Sequence, residues 1–149
     1  MKTSEGFIVV DASGMIAGRL ASLLAKRLLR GEKIVVVNAE KAVLSGKRKS
    51  KVREIKEFWE VVGRANPLRG PRHPHNPSGF LRDMVWGMLP RDRPRGREAF
   101  KRLKVYEGLP ENFSGFSPES FPEASAEKLR YGYVSLAEIC RELGWRERI

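Results

Sequence analysis

The chain's two histidines, His73 and His75, stand two apart in NPLRGPRHPHNPSG, residues 66–79, among four prolines and two arginines. Histidines at this spacing can open a zinc or dinuclear hydrolase site, and Asp83 lies eight residues further on. Such a centre needs more ligands than these. No H-x-H-x-D-H run follows, there is no third histidine, and the single cysteine, Cys140, is 65 residues away. Cys140 also shares the apolar side of a predicted helix with Leu136, Ile139 and Leu143, which makes it a core residue. No Ser/His/Asp or Cys/His arrangement is visible, so no catalytic residue, metal or cofactor is expected. A metal-dependent nuclease or hydrolase using His73, His75 and Asp83 stands as the rival reading.

Two glycine turns invite a phosphate. Asp11–Arg19, DASGMIAGR, carries Gly14 and Gly18 between a predicted strand and helix, without the G-x-G-x-x-G of a dinucleotide site. Tight strand-to-helix packing accounts for it, although Arg19 in the first turns of that helix can still meet an external phosphate. Ser45-Gly46-Lys47 resembles the end of a P-loop. The glycine required five residues before Gly46 is Lys41, and Arg48 stands where Ser or Thr should be, so the motif fails.

What remains is positive charge. The 149 residues carry a formal net charge of +11, which speaks of polyanionic partners before an anionic membrane surface. Residues 47–104 hold seventeen Lys/Arg against six Asp/Glu, so this stretch alone matches the whole excess. It shifts from lysine to arginine along its length, and arginine's planar fork suits phosphate and base recognition. The candidate contacts are Lys47, Arg48, Lys49, Arg53 and Lys56, then Arg64, Arg69, Arg72, His73, His75 and Arg82. Beyond them come Arg91, Arg93, Arg95 and Arg97, and finally Lys101, Arg102 and Lys104; Arg19 joins them from outside the stretch. Trp59, Phe80, Trp86 and prolines interleave with these charges. Proline limits the entropy lost when a loop orders on a partner. Arginine and histidine stack on unpaired bases as well as meeting phosphates, which favours structured RNA over duplex DNA. On this reading 66–79 is a proline-stiffened loop facing RNA, with Arg69 and Arg72 on phosphates and His73 and His75 against bases or sugars.

The elements that must hold these residues follow from periodicity. Phe7–Asp11 reads as a short buried strand, and a helix follows Ser13-Gly14 through about Arg30, with Ile16, Leu20, Leu23, Leu24 and Leu28 on one face and Gly31 as its stop. Ile34–Val37 is a continuous β-branched run, the mark of a strand covered on both faces. Strand, helix and strand in this order make a βαβ unit and an α/β core. A second helix is predicted from about Lys47 to Val62, with Val52, Ile55, Trp59 and Val62 inward; a third covers about Phe80–Gly87 with Ser78 at its N-cap. Arg91–Arg97 places arginine at every second position, so an extended chain would put them on one side. A short helix then turns Phe100 and Leu103 inward, with Arg97, Lys101 and Lys104 on its basic side. Val105-Tyr106 returns to the sheet, and 108–127 reads as Pro/Ser/Glu-rich loop. Ser135-Leu-Ala-Glu138 is a capping box for a C-terminal helix over about 135–144.

The length fits one domain, 1–149, able to bury roughly 68–70% of its unfolded surface. No apolar run approaches a membrane span, the N-terminus has no signal-peptide core, and a lone cysteine fits a reducing cytoplasm.

Three motifs in order carry a family resemblance: Val9-Val10-Asp11-Ala12 with Gly18-Arg-Leu-Ala-Ser22; Val36-Val-Asn-Ala-Glu-Lys41 with Ser45-Gly46; and Gly87-Met-Leu-Pro90 with Arg102-Leu-Lys-Val-Tyr-Glu-Gly108. They resemble the universal large-subunit ribosomal protein family thirteen. The Asn66-Pro67…Arg69-Gly70-Pro71 loop and the ending Leu136…Glu142-Leu-Gly-Trp145 are similar to its archaeal/eukaryotic-type branch, whereas 109–130 match poorly. The resemblance implies a three-layer α/β/α core around a mainly parallel, about four-stranded sheet with basic loop extensions. It also implies no catalysis or small-molecule substrate, a place on large-subunit rRNA in the cytoplasmic ribosome, an assembly role, and contact with neighbouring ribosomal proteins. An RNA-binding protein acting off the ribosome is the remaining alternative.

Overall fold

The computed structural model describes residues 6–61 and 63–147; Val62, expected on the inward seam of the second helix, lies outside them. The architecture grows from one strand. β2 (Lys33–Val37) has four consecutive buried residues and sits between β1 (Phe7–Asp11) and β4 (Leu103–Val105), both parallel to it. The register runs from Phe7↔Lys33 to Asp11↔Val37 on one side and from Ile34↔Leu103 to Val36↔Val105 on the other. Successive strand side chains point to opposite faces. Ile34 and Val36 therefore join Val10, Leu103 and the buried seam Leu20, Leu24 and Leu28 of α1 (Ala17–Leu29), together with Leu81 and Val85 of α3 (Pro77–Met88) and Ala99 of α4 (Pro94–Lys101). Val35 and Val37 join Val9 on the other face, beneath Tyr106, Phe113 and Phe116.

The result is the three-layer α/β/α arrangement. The layer under Val35 and Val37 is thin here, a 3-10 turn at Glu111–Phe113 with its aromatic neighbours. Three strands form the parallel sheet, and a fourth segment joins it at a single residue: Glu119 N–H donates to Val9 O at 2.8 Å and Asp11 N–H to Glu119 O at 3.0 Å. A separate antiparallel pair joins β3 (Val43–Ser45) to β5 (Tyr133–Ser135). The 108–127 stretch has no long element, as expected, yet it is seated on the body. Ala124 and Ala126 are buried; Ile16 N–H donates to Ala124 O at 2.7 Å and Ala126 N–H to Gly14 O at 2.9 Å.

Caps define the remaining boundaries. Gly31 (φ +95°) ends α1 in a Schellman motif, its N–H on Leu28 O and that of Glu32 on Arg27 O. Gly144 (φ +100°) does the same for α5 (Leu136–Glu142), with Trp145 N–H on Cys140 O at 2.8 Å. Ser135 Oγ accepts from Glu138 N–H at 3.3 Å, the N-cap half of the expected capping box. α3 begins three residues before the expected Phe80, because Pro77 suits the first helical position; Asn76 is its N-cap residue, and Ser78 Oγ instead donates to Glu107. At the β1–β2 edge, burial pushes the Asp11 carboxyl up. Hydrogen bonds from Ser13 N–H (2.9 Å) and Asn38 Nδ2 (3.1 Å) outweigh that and hold it below the usual range.

One expectation is corrected. Residues 91–97 are not extended: Arg91–Arg93 turn, and the chain enters α4 with Pro94 at its first position. Proline there forgoes a donor that no helical carbonyl would have met. Gly96 makes the turn possible, since a Cβ at this position would fall 2.1 Å from Pro90 O. Replacing Gly96 with Ala should therefore force α4 off the 90–93 turn and lower stability by about 1–3 kcal/mol in urea unfolding; an unchanged midpoint would disprove the close approach.

Candidate nucleic-acid interface

The first basic group lies along α2 (Arg48–Trp59), a helix with no fully buried residue. Val52, Ile55 and Trp59 are half-buried, and Lys47, Arg48, Lys49, Arg53 and Lys56 are exposed. Arg48 pairs with Glu142 of α5, and Lys51 with Glu54 at 3.2 Å. Exposed pairs of this kind contribute about 0–1 kcal/mol, so a phosphate can displace either carboxylate at small cost. Arg48, Lys49, Arg53 and Lys56 line one groove of about 760 Å³ together with Glu57, Glu60 and Glu142.

The second group is the loop that prompted the metal question. Gly63 and Gly70 close its neck: a Cβ on Gly70 would lie 2.6 Å from Gly63 N. Arg64, Arg69 and Arg72 are exposed outside that neck. The histidines also make contacts within the fold. His73 stacks on Trp59 (6.0 Å, 22°), meets the Phe58 edge at 4.9 Å, and has Nε2 3.2 Å from Val61 O; His75 meets Trp59 edge-on at 4.3 Å. Both rings hold the loop onto the end of α2, with His73 half-buried and His75 still exposed. Among the described residues no group of three or more His, Cys, Asp or Glu side chains is arranged to hold a metal ion.

The third group surrounds α3 and α4. Arg91, Arg93 and Arg95 are exposed around the start of α4, whose first turn contains no acidic residue, a setting that favours anions. Arg97 is exposed too, but its guanidinium donates to Arg91 O and Asp92 O at 3.2 Å and ties that turn together. Arg82 lies over Phe100 at 4.9 Å and Lys104 over Phe7 at 5.2 Å, while Lys101 is exposed. Arg102 is half-buried, donates to Leu28 O at 2.6 Å, and has a buried Nε without a protein partner. It ties β4 to the end of α1, which gives it a role in the fold. Arg19 is exposed near the start of α1.

Sequence reasoning missed one neighbouring feature. Tyr131 and Tyr133 are 85% and 57% exposed beside Arg130, and Gly46 N–H donates to Gly132 O at 2.9 Å, which brings them to the start of α2. Exposed aromatics beside lysines suit base stacking. The run Arg130-Tyr-Gly-Tyr133 was the available signal, hidden by the acidic balance of the last third.

Comparison with known proteins decides what this surface belongs to. The model of the family "Ribosomal protein L13" matches residues 5–112. The chain belongs to that family. It is 45% identical over 144 residues to large ribosomal subunit protein uL13 of Archaeoglobus fulgidus, covering 95% of this chain and 90% of that protein. The counterpart in Methanopyrus kandleri is 43% identical over 146 residues (95% and 89% covered), and that in Methanocaldococcus jannaschii 46% over 138 (91% and 96%). These near-full-length matches fit the archaeal/eukaryotic-type branch. The L13 match takes in all three basic groups and stops before Phe113, although the following segment is bonded into the same fold.

Within this family member the thiol is a packing group. Burial pushes Cys140 up to about 12, with Glu107 adding to the effect. The thiol consequently stays protonated at pH 8 and should resist a disulfide reagent such as DTNB in the folded protein. It should react within minutes in guanidinium chloride; rapid native-state labelling would overturn its core placement.

Proposed function

We propose that this protein is a structural constituent of the large ribosomal subunit that binds and stabilises large-subunit rRNA and supports subunit assembly, without catalysis. Membership of the L13 family is the observation that carries this reading. The geometry supplies the mechanism. A rigid sheet-and-helix core supports exposed cations on α2, on the 63–76 loop and around the start of α4. RNA segments packed against these cations are held together by shared counter-charge, which is scaffolding. Arg19, Lys47, Arg48, Lys49, Arg53, Lys56, Arg64, Arg69, Arg72, Arg82, Arg91, Arg93, Arg95, Lys101 and Lys104 form the contact set, Arg97 holds the α4 turn within it, and His73 and His75 act by bracing the loop. Neighbouring ribosomal proteins are the remaining partners, and the exposed Phe58, Val61 and Leu68 suit such contacts. The site of action is the cytoplasmic ribosome. No helix among the described residues is long and apolar enough to cross a membrane.

Two measurements test this. With ~6–10 phosphate contacts, affinity for large-subunit rRNA should fall on the order of 10³–10⁵ between 50 and 200 mM salt. The triple variant Arg91→Ala, Arg93→Ala, Arg95→Ala should reduce the salt slope by about three, one per lost contact, with its thermal transition unchanged. Salt-insensitive binding, or a triple variant that unfolds, would refute the assignment. In sucrose gradients the protein should co-migrate with large subunits after a high-salt wash; a purely free pool would favour a role off the ribosome.

A further inference from the structure

Between α2 and α3 lies a cleft of about 690 Å³ whose chemistry differs from the rest of the basic surface. Ile55 and Trp59 from α2 face Met84 and Trp86 from α3 across it. Lys51, Arg72 and Arg91 also line it, the two arginines exposed and Lys51 paired with Glu54, which lines the cleft too. The cleft thus joins an aromatic and aliphatic interior to three cations. The Trp59 ring is pre-positioned, since His73 and His75 both pack against it. Asp83 adds one hydrogen-bond acceptor to the lining.

An apolar peptide would satisfy the interior and leave Arg72 and Arg91 unmatched. A base-paired helix would match the cations, but its stacked bases cannot reach an aromatic floor. An unpaired nucleotide brings a flat aromatic ring and flanking phosphates together, the combination by which single-stranded RNA is held. We propose that the α2–α3 cleft receives one unpaired nucleobase of the bound RNA, stacked at Trp59 and Trp86 with its neighbouring phosphates on Lys51, Arg72 and Arg91. This rests on the RNA-binding reading and adds a base-specific receptor to what is otherwise backbone recognition. The Asp83 carboxylate accepts from an exocyclic amino group, so adenine, guanine or cytosine is preferred over uracil.

The test uses the full chain bound to protein-free large-subunit rRNA. Base edges are probed with dimethyl sulfate and kethoxal, and the backbone with hydroxyl radicals. Wild-type protein should protect the base edge of one unpaired nucleotide. Trp59→Ala should lose that protection and bind roughly 5–150-fold more weakly, the range for removing one base–aromatic stack, while flanking backbone protection persists at saturating protein. Ile55→Glu, on the α2 wall one helical turn before Trp59, should have the same effect with an unchanged thermal transition. A backbone footprint without a base protection that depends on Trp59 and Ile55 overturns the cleft assignment alone. Absence of any footprint at low salt overturns the RNA-binding reading beneath it. If both variants bind naked rRNA normally but are missing from assembled subunits, the occupant is a protein and the nucleobase proposal falls.

Discussion

The enclosure of β2 on both faces is the constraint on which the rest of the structure depends. Ile34 and Val36 require a helical layer above, and Val35 and Val37 require cover below. Burying a valine or isoleucine side chain contributes about 1.5–3 kcal/mol, so these four residues outweigh any single polar contact in the molecule. Their demand fixes β1 and β4 as parallel neighbours and sends α1, α3 and α4 to one side. The 106–116 aromatics fall to the other. α2 and the 63–76 loop carry none of that burden, which leaves their surfaces available for recognition.

Charge is distributed by the same logic. Nearly every lysine and arginine stays at the periphery, and the few charged groups that enter the interior bind backbone or a carboxylate at seams. Glu40, 8% exposed, accepts from Gly108 N–H at 2.9 Å and anchors the segment after β4. Arg102 reaches Leu28 O across 74 residues of sequence. Arg27 pairs with Glu32 at 2.6 Å and Glu119 at 2.8 Å, joining the end of α1 to the segment beside β1. A buried charge without partners is costly; here each such charge secures a junction between elements distant in sequence. Most of the remaining cations are exposed, and their mutual repulsion is relieved by an external polyanion.

The β1–α1–β2 unit was legible because its signals are local: an apolar strand, a helical repeat of leucines, a glycine stop and a valine run. The L13 motifs, the α3 region and the C-terminal helix were legible for similar reasons. β3 and β5 were not, since three residues show no period and their pairing depends on partners about ninety positions apart. At 91–97 the alternation of arginines suggested an extended chain, whereas Pro94 and the contact of Gly96 with Pro90 decided for a helix. The basic surface could be read from composition, but its division of labour could not. Arg102, Arg97, His73 and His75 also make contacts within the fold, with Leu28 O, Arg91 O and Trp59, which only tertiary structure creates.

The pairing of β3 with β5 has a consequence in time. Val43–Ser45 leave the site of synthesis long before Tyr133–Ser135, and at about 5–20 residues per second the interval is roughly 5–20 s. Glu119 reaches the edge of β1 only slightly sooner. A nascent chain must therefore wait with the β1 edge and β3 unpaired, and long-range pairings of this kind close slowly even afterwards. The most basic stretch, 47–104, emerges within that interval, and like-charge repulsion between nascent copies keeps their open strand edges apart.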